Sequence, residues 1–337
     1  MKALVTGGGG FLGRAIVEML LGRGDQVRIL SRQRYPAIEA LGADAVQGDI
    51  RSIDDCVKAC MGRDVVFHTA ALPGIWGDIQ TYSEINIGGT NNLLVACKRR
   101  GVPKLVFTSS PSVVFDMKDE CGIDETTPFP QKFFNPYSHT KAIAEQEVLR
   151  ENNVDGLLTC ALRPHLIWGP RDNHLIPRIL ERAKKRKLRI VGKGQNKVDL
   201  TYIDNAAMAH LLAADAMKAN RVAGQAYFIS DDFPVVLWDW INEFLQQMLM
   251  KKVKSHVPIR VAYGMGFCFE KLYELLKKND EPPMTRFLAR ALSCSHYYNI
   301  TRAKRDFGYK PVVNNDEGVR RTVEYFTKLQ SAGGAGV

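Results

Sequence analysis

The chain has 337 residues, 45% of them hydrophobic and 24% charged, ordinary globular proportions that exclude a disordered or fibrous protein. Its length exceeds that of a usual single core and predicts one large domain with a smaller appended lobe. Lysine and arginine outnumber aspartate and glutamate by 46 to 36, and this net charge of +10 suits anionic cofactors, acidic substrates, nucleic acid or an anionic membrane alike.

The first half alternates short β-rich runs with helical periods. Lys2–Thr6, Gln26–Leu30, Asp64–His68 and Lys104–Thr108 read as buried strands. Arg14–Leu21, Ile53–Cys60, Ile85–Arg99 and Tyr137–Glu151 read as helices between them. A parallel crossover needs a connecting element that covers the sheet, so the alternation predicts an α/β fold: a Rossmann-type doubly wound parallel sheet with a smaller mixed C-terminal substrate lobe. The dinucleotide-binding domain is expected over 1–169, with some later segments returning to it, the substrate lobe over 170–330 and a flexible tail over 331–337.

The first strand runs straight into Gly7-Gly8-Gly9-Gly10-Phe11-Leu12-Gly13 and then a helix. Glycines there permit a tight turn and let backbone approach a pyrophosphate, which the helix N-terminus stabilises. An NAD site usually places a carboxylate at the end of the second strand. Here that strand ends Ser31-Arg32-Gln33-Arg34, so Ser31 stands in the carboxylate's place and Arg32 and Arg34 are positioned for a ribose 2′-phosphate. NADP(H) is therefore favoured, with NAD(H) as the alternative and plain exposed arginines as the simplest account. Asp49, in Gly48-Asp49-Ile50, either accepts from an adenine amino group or only forms a turn.

Thr108-Ser109-Ser110-Pro111-Ser112 closes a strand at the carboxyl edge, where ligands bind in open α/β folds. A serine hydroxyl there can hold a substrate oxygen or satisfy the turn backbone. Tyr137 and Lys141 stand at i and i+4 on one helix face, pairing a phenol with a cation that lowers its pKa from about 10. His68 reads as a satisfied strand-end histidine rather than a base.

The basic run Arg182–Arg189 lacks interleaved aromatics and reads as a solvated helix end, not a nucleic-acid surface. The seven cysteines show neither CxxC nor metal spacing, so no metal is expected, and Cys56 and Cys60 read as small buried apolar residues. No leader is visible and no stretch is apolar enough to span a bilayer, which points to the cytoplasm. The run Val257–Leu276, with Tyr263, Met265, Phe267, Phe269 and Tyr273, is expected to form an amphipathic cap over the substrate, with peripheral membrane contact as a lesser alternative.

The glycine loop, the Thr-Ser-Ser strand end, Tyr137 with Lys141, Leu162-Arg163-Pro164-His165-Leu166-Ile167-Trp168-Gly169-Pro170 and Asp199-Leu200-Thr201-Tyr202-Ile203-Asp204-Asn205 together resemble the 3β-hydroxysteroid dehydrogenase family of extended short-chain dehydrogenases. The stretches 281–288, 296–298 and 307–311 resemble most its bacterial 2-alkyl-3-oxoalkanoate reductases, and next its decarboxylating sterol-4α-carboxylate 3-dehydrogenases. The resemblance implies an oxidoreductase interconverting a 3-keto and a 3-hydroxy group on a hydrophobic substrate, most simply NADPH reduction of a long-chain 2-alkyl-3-oxoalkanoate. It implies Ser110, Tyr137, Lys141 and Asn86 as catalytic, Ser112 as a second serine candidate, and Gly7, Gly10, Phe11, Leu12, Gly13, Asp49, Ile50, Ala70 and Pro164 at the cofactor. Arg163, Arg171 and His165 are candidates for a substrate carboxylate, and helices 85–99 and 137–151 for a homodimer contact. A nucleotide-sugar epimerase and a non-catalytic dinucleotide-binding protein are the rival readings.

Overall fold

The computed structural model describes residues 1–218, 221–278 and 280–333. It opens with β1 (Lys2–Thr6), whose Ala3, Leu4 and Val5 are buried, as a central parallel strand covered on both faces requires. Then come α1 (Phe11–Gly22), β2 (Gln26–Ser31), the short α2 (Pro36–Glu39), β3 (Asp44–Gln47), α3 (Ile53–Cys60) and β4 (Val65–His68). The Ser52 hydroxyl caps α3 by accepting from the Asp55 N–H.

After β4 the chain forms α4 (Ile79–Tyr82), a π-helical turn over Ser83–Gly88, α5 (Gly89–Arg100) and β5 (Lys104–Thr108). The helix expected over 85–99 thus starts inside an irregular turn, and Asn86 lies within it. There follow β6 (Glu120–Ile123), α6 (Pro136–Arg150), β7 (Leu158–Pro164), β8 (Ile167–Trp168), α7 (Leu175–Lys184), β9 (Ile190–Val191), β10 (Lys197–Val198), β11 (Thr201–Tyr202) and α8 (Ile203–Ala216). The last part contains β12 (Ala226–Ile229), β13 (Val235–Val236), α9 (Leu237–Gln247), β14 (His256–Val257), α10 (Ile259–Leu275), α11 (Arg286–Ala291), β15 (His296–Tyr298), α12 (Thr301–Phe307) and α13 (Asn315–Gly333).

Seven strands form one parallel sheet in the order β12-β7-β5-β4-β1-β2-β3. One apolar core, including Ile16, Leu20, Ile29 and Phe67, covers one face and continues into the second lobe. A separate core of Leu4, Leu30, Leu93, Leu105 and Phe107 covers the other, and Cys56, Cys60 and Cys97 are buried in it as small apolar side chains.

A smaller mixed sheet, ordered β13-β10-β15-β6, builds the second lobe. The chain crosses between the two layers more than once. β6 comes from inside residues 1–169 yet pairs with β15, whereas β12 returns to the large sheet and α8 packs on α1. A cut at residue 169 therefore does not separate two compact units. Of the tail expected over 331–337, residues 331–333 continue α13 and residues 334–337 lie outside the described residues. Among the described residues no helix is long and apolar enough to cross a membrane.

Candidate active site

The glycine turn sits at the carboxyl end of β1. Gly7 adopts φ +67°, and the Gly10 N–H donates to its carbonyl oxygen at 2.8 Å. A Cβ on Gly13 would fall 2.2 Å from that same oxygen, and one on Gly9 would fall 2.1 Å from the Tyr35 ring. No side chain caps α1 and no carboxylate occupies its first turn, so no side chain there neutralises its leading N–H groups. This backbone cradle fits a dinucleotide pyrophosphate.

At the end of β2 the Ser31 hydroxyl donates to the Gln33 carbonyl oxygen at 2.8 Å and fixes the turn that carries the arginines. Arg32 is exposed and has no carboxylate partner among the described residues. Arg34 differs, because its guanidinium is paired with Glu39. Asp49 is likewise occupied: its carboxylate accepts from the Arg51 N–H at 2.9 Å and from the Arg51 guanidinium at 2.7 Å, which is the turn-forming role. Ile50 is buried against Gly89, where a Cβ would fall 2.5 Å from it. The Ala70 N–H donates to Thr6 Oγ1 at 3.2 Å, holding the β4 turn against β1, and Pro164 ends β7 beside Ile229.

Asn135 caps α6 by accepting from the Ser138 N–H at 2.7 Å, and with Pro136 in the first turn it fixes the position of Tyr137. Ser110, just beyond β5, lines the same cavity as Tyr137, and its Oγ is 2.9 Å from Ser112 Oγ. The Lys141 ammonium donates to the Thr108 carbonyl oxygen at 2.6 Å and stands 3.8 Å over the Phe107 ring. Thr108 is itself oriented: His210 Nδ1–H donates to the Ala206 carbonyl oxygen, which leaves Nε2 to accept from the Thr108 hydroxyl at 2.8 Å.

The electrostatics differ from the expectation of a phenol activated by Lys141. Burial pushes the Tyr137 phenol up to about 12, with only Ser110 opposing. Burial also pulls the Lys141 ammonium down to about 7, against the Glu145 carboxylate. The lysine's charge is directed at Thr108 and Phe107, not at the phenol.

Asn86 is fully engaged elsewhere. Its Oδ1 accepts from the Leu72 N–H at 2.7 Å, while Nδ2 donates to the Leu72 carbonyl oxygen and to Thr140 Oγ1. Its own carbonyl oxygen accepts from the Thr90 hydroxyl at 2.6 Å, so the residue positions the backbone of the loop after β4. His68 is satisfied by Thr6 and Thr90, and burial, then Lys141, lower it to about 3.

Ser110, Ser112 and Tyr137 open into a cavity of about 580 Å³. Its wall is apolar, with Leu166, Leu175, Ile179, Leu200, Trp238, Trp240, Phe269 and Phe287 among the contributors. Arg178, Arg182, Lys187 and Arg189 also line it. The run read as a solvated helix end therefore contributes to the cavity; the i, i+4 spacing of Arg178 and Arg182 was the signal available in the sequence. Two candidate carboxylate ligands are excluded by their partners: Arg163 is buried in an ion pair with Glu145, and Arg171 is bound bidentately by Glu18 at 2.7 Å. On α10, Met265 and Phe269 line the cavity. Phe267 is instead exposed against Arg286, Tyr263 packs on Arg290 and Tyr273 on Trp76, so only part of the expected cap covers the cavity.

The family model described as the 3-beta hydroxysteroid dehydrogenase/isomerase family matches residues 4–259. The chain is 47% identical over 327 residues to a 2-alkyl-3-oxoalkanoate reductase of Shewanella oneidensis, covering 95% of this chain and 84% of that protein. It is 34% identical over 337 residues to a mouse (Mus musculus) sterol-4-alpha-carboxylate 3-dehydrogenase, decarboxylating, covering 98% and 92%. Among solved structures, a UDP-glucuronic acid 4-epimerase from Bacillus cereus in complex with NAD superposes with a TM-score of 0.73 at 22% identity, covering 98% and 99%, a likeness of fold.

The family match and these relatives show an NAD(P)-dependent dehydrogenase/reductase of the short-chain type. Within that class, the chain belongs to the 3-beta hydroxysteroid dehydrogenase/isomerase family.

Proposed function

We propose that this enzyme reduces the 3-oxo group of a long-chain 2-alkyl-3-oxo acid with NADPH. The observation that carries this reading is the cavity of about 580 Å³, which places Ser110 and Tyr137 against a predominantly apolar wall. The apolar side chains that make up most of this wall offer few hydrogen-bond partners to a sugar. The Shewanella relative's name supports the same substrate class.

The cradle of Gly7–Gly13, with Arg32 beyond β2, holds the dinucleotide, which supplies the hydride when bound. Ser110 orients the substrate oxygen. Tyr137 gives it a proton, and a phenol held near 12 is protonated at neutral pH, as reduction requires. Lys141, held on the Thr108 carbonyl oxygen, fixes the end of β5 from which Ser110 projects. Oxidation of a sterol alcohol would start from the phenolate, the form that burial disfavours here.

The outer side chains of α10, Val261, Leu272 and Leu275, are exposed among Arg260, Lys271 and Lys277 and support peripheral contact with an anionic bilayer. Cosedimentation with anionic but not neutral vesicles is the expected result, and no cosedimentation with either removes that contact.

The substrate reading is tested by following oxidation of NADPH or NADH with 2-alkyl-3-oxo acids, 3-oxosterols and UDP-4-ketosugars. Fast turnover of the oxo acids with NADPH is expected. Turnover confined to sterols or nucleotide sugars would overturn it.

A further inference from the structure

The cavity contains a second polar element that the proton transfer does not use. His165, directly after β7, and His296, the first residue of β15, meet with Nε2···Nδ1 at 2.7 Å and ring centroids 4.7 Å apart, edge to face. Both line the cavity that contains Ser110 and Tyr137. Strand register brings them to the reacting end. Thr108 pairs with Leu162 across β5 and β7, and the Ser109 N–H donates to the Leu162 carbonyl oxygen at 2.6 Å. Ser110 and His165 therefore leave neighbouring strands at the same carboxyl edge, and such strands lie about 4.8 Å apart.

The protons on the pair can be assigned. His296 Nε2 is 2.8 Å from the Ala291 carbonyl oxygen, which only accepts, so that nitrogen carries a proton. In the neutral pair His296 Nδ1 then accepts from His165 Nε2–H. His165 Nδ1 is left with a lone pair and has no hydrogen bond among the described residues. It becomes a donor only by taking up a proton. The titratable groups facing the pair are Tyr298, edge-on to His165, Glu120 behind the Tyr298 hydroxyl, and Asp119 near His296, with Tyr137 in the shared cavity. Burial holds both imidazoles below their ordinary range, so the empty pair is neutral.

A β-oxo acid carries its carboxylate one carbon from the reacting ketone, so whatever recognises the carboxylate must sit beside Ser110 and Tyr137. Arg163 is already paired with Glu145, and the cavity's other cations come from α7 and the segment after it. We propose that His165 and His296 form the carboxylate subsite. The acid binds together with one solvent proton, which goes to His165 Nδ1; the resulting N–H donates to a carboxylate oxygen, and His296 keeps accepting from Nε2–H. The proton returns to solvent on release. This rests on the β-oxo acid reading and adds how the acid is distinguished from its ester or from a neutral ketone.

The test uses binding without turnover. A 2-alkyl-3-hydroxy acid and its methyl ester are titrated into the intact protein by calorimetry, with no cofactor added, in two buffers of different ionisation enthalpy. The acid is expected to bind about tenfold or more tightly than the ester, the size of a charge-assisted hydrogen bond, and to take up roughly one proton while the ester takes up none. In His165→Leu the preference and the proton uptake should disappear with ester affinity retained. His296→Gln, which keeps the first ring, should reduce the uptake. Equal affinity for acid and ester in the wild type, or equal loss of both ligands in His165→Leu, overturns the subsite. If acid preference and uptake are present but no 3-oxo acid is reduced, the subsite stands and the functional reading fails.

Discussion

Lys141 reaches across from α6 to donate to the Thr108 carbonyl oxygen at 2.6 Å, so an ammonium is buried where burial alone pulls its pKa down to about 7. The folded pKa of this base lies below the unfolded value near 10.5. Between these values the unfolded chain binds more protons, so the lysine's contribution to stability rises with pH from about 7 toward 10. The difference in unfolding free energy, Lys141→Met minus wild type, should therefore fall as pH rises from 7.5 to 9.5, by about 1.4 kcal/mol per pH unit at most. A difference that stays constant or grows, measured by thermal unfolding of the cofactor-free proteins, contradicts the depressed pKa.

Arg32 is the exposed arginine after β2 without a carboxylate partner among the described residues, whereas Arg34 is paired with Glu39. Arg32→Ala should weaken NADPH binding by roughly 1.5 to 3 kcal/mol and leave NADH nearly unchanged. Fluorescence titration of both cofactors measures this, and equal losses would remove Arg32 from the 2′-phosphate.

Glu145 is fully buried beneath Arg163, whose guanidinium lies 5.2 Å from the Phe228 ring centroid. Glu145→Gln leaves a buried cation without its counter-charge and should cost about 3 to 5 kcal/mol of stability, read by denaturant unfolding. A loss under about 1 kcal/mol would mean that solvent reaches the pair.

Phe269 lines the cavity from α10, whereas Phe267 lies outside against Arg286. If alkyl chains occupy the cavity, kcat/KM should rise with chain length by about 0.8 kcal/mol per buried methylene until the wall is filled. Phe269→Ser should flatten that rise and Phe267→Ser should not. A flat wild-type profile would move the chains elsewhere.

What the sequence shows of this molecule is what is local in the chain. The glycine turn, the strands at 2–6 and 104–108, the helix at 53–60 and the Tyr137–Lys141 pair depend on short spacings and appear where expected. Contacts between distant segments were not legible. Nothing near Arg163 announces Glu145, and the His165–His296 pair spans 131 positions. Asn86 matched a motif, yet its amide binds Leu72, because a π-helical turn places it under that loop. The smaller sheet was invisible for the same reason: its strands are two to four residues long and come from both halves of the chain.

The central claim is that a 2-alkyl-3-oxo acid is reduced at Tyr137. The most direct measurement is NADPH consumption with such an acid by wild type and Tyr137→Phe side by side, together with NADPH affinity for both. The phenol supplies only the proton, so the variant should lose on the order of 100- to 10,000-fold in kcat while binding NADPH as before. Wild-type turnover in Tyr137→Phe, or no NADPH-dependent reduction by the wild type, would contradict the account.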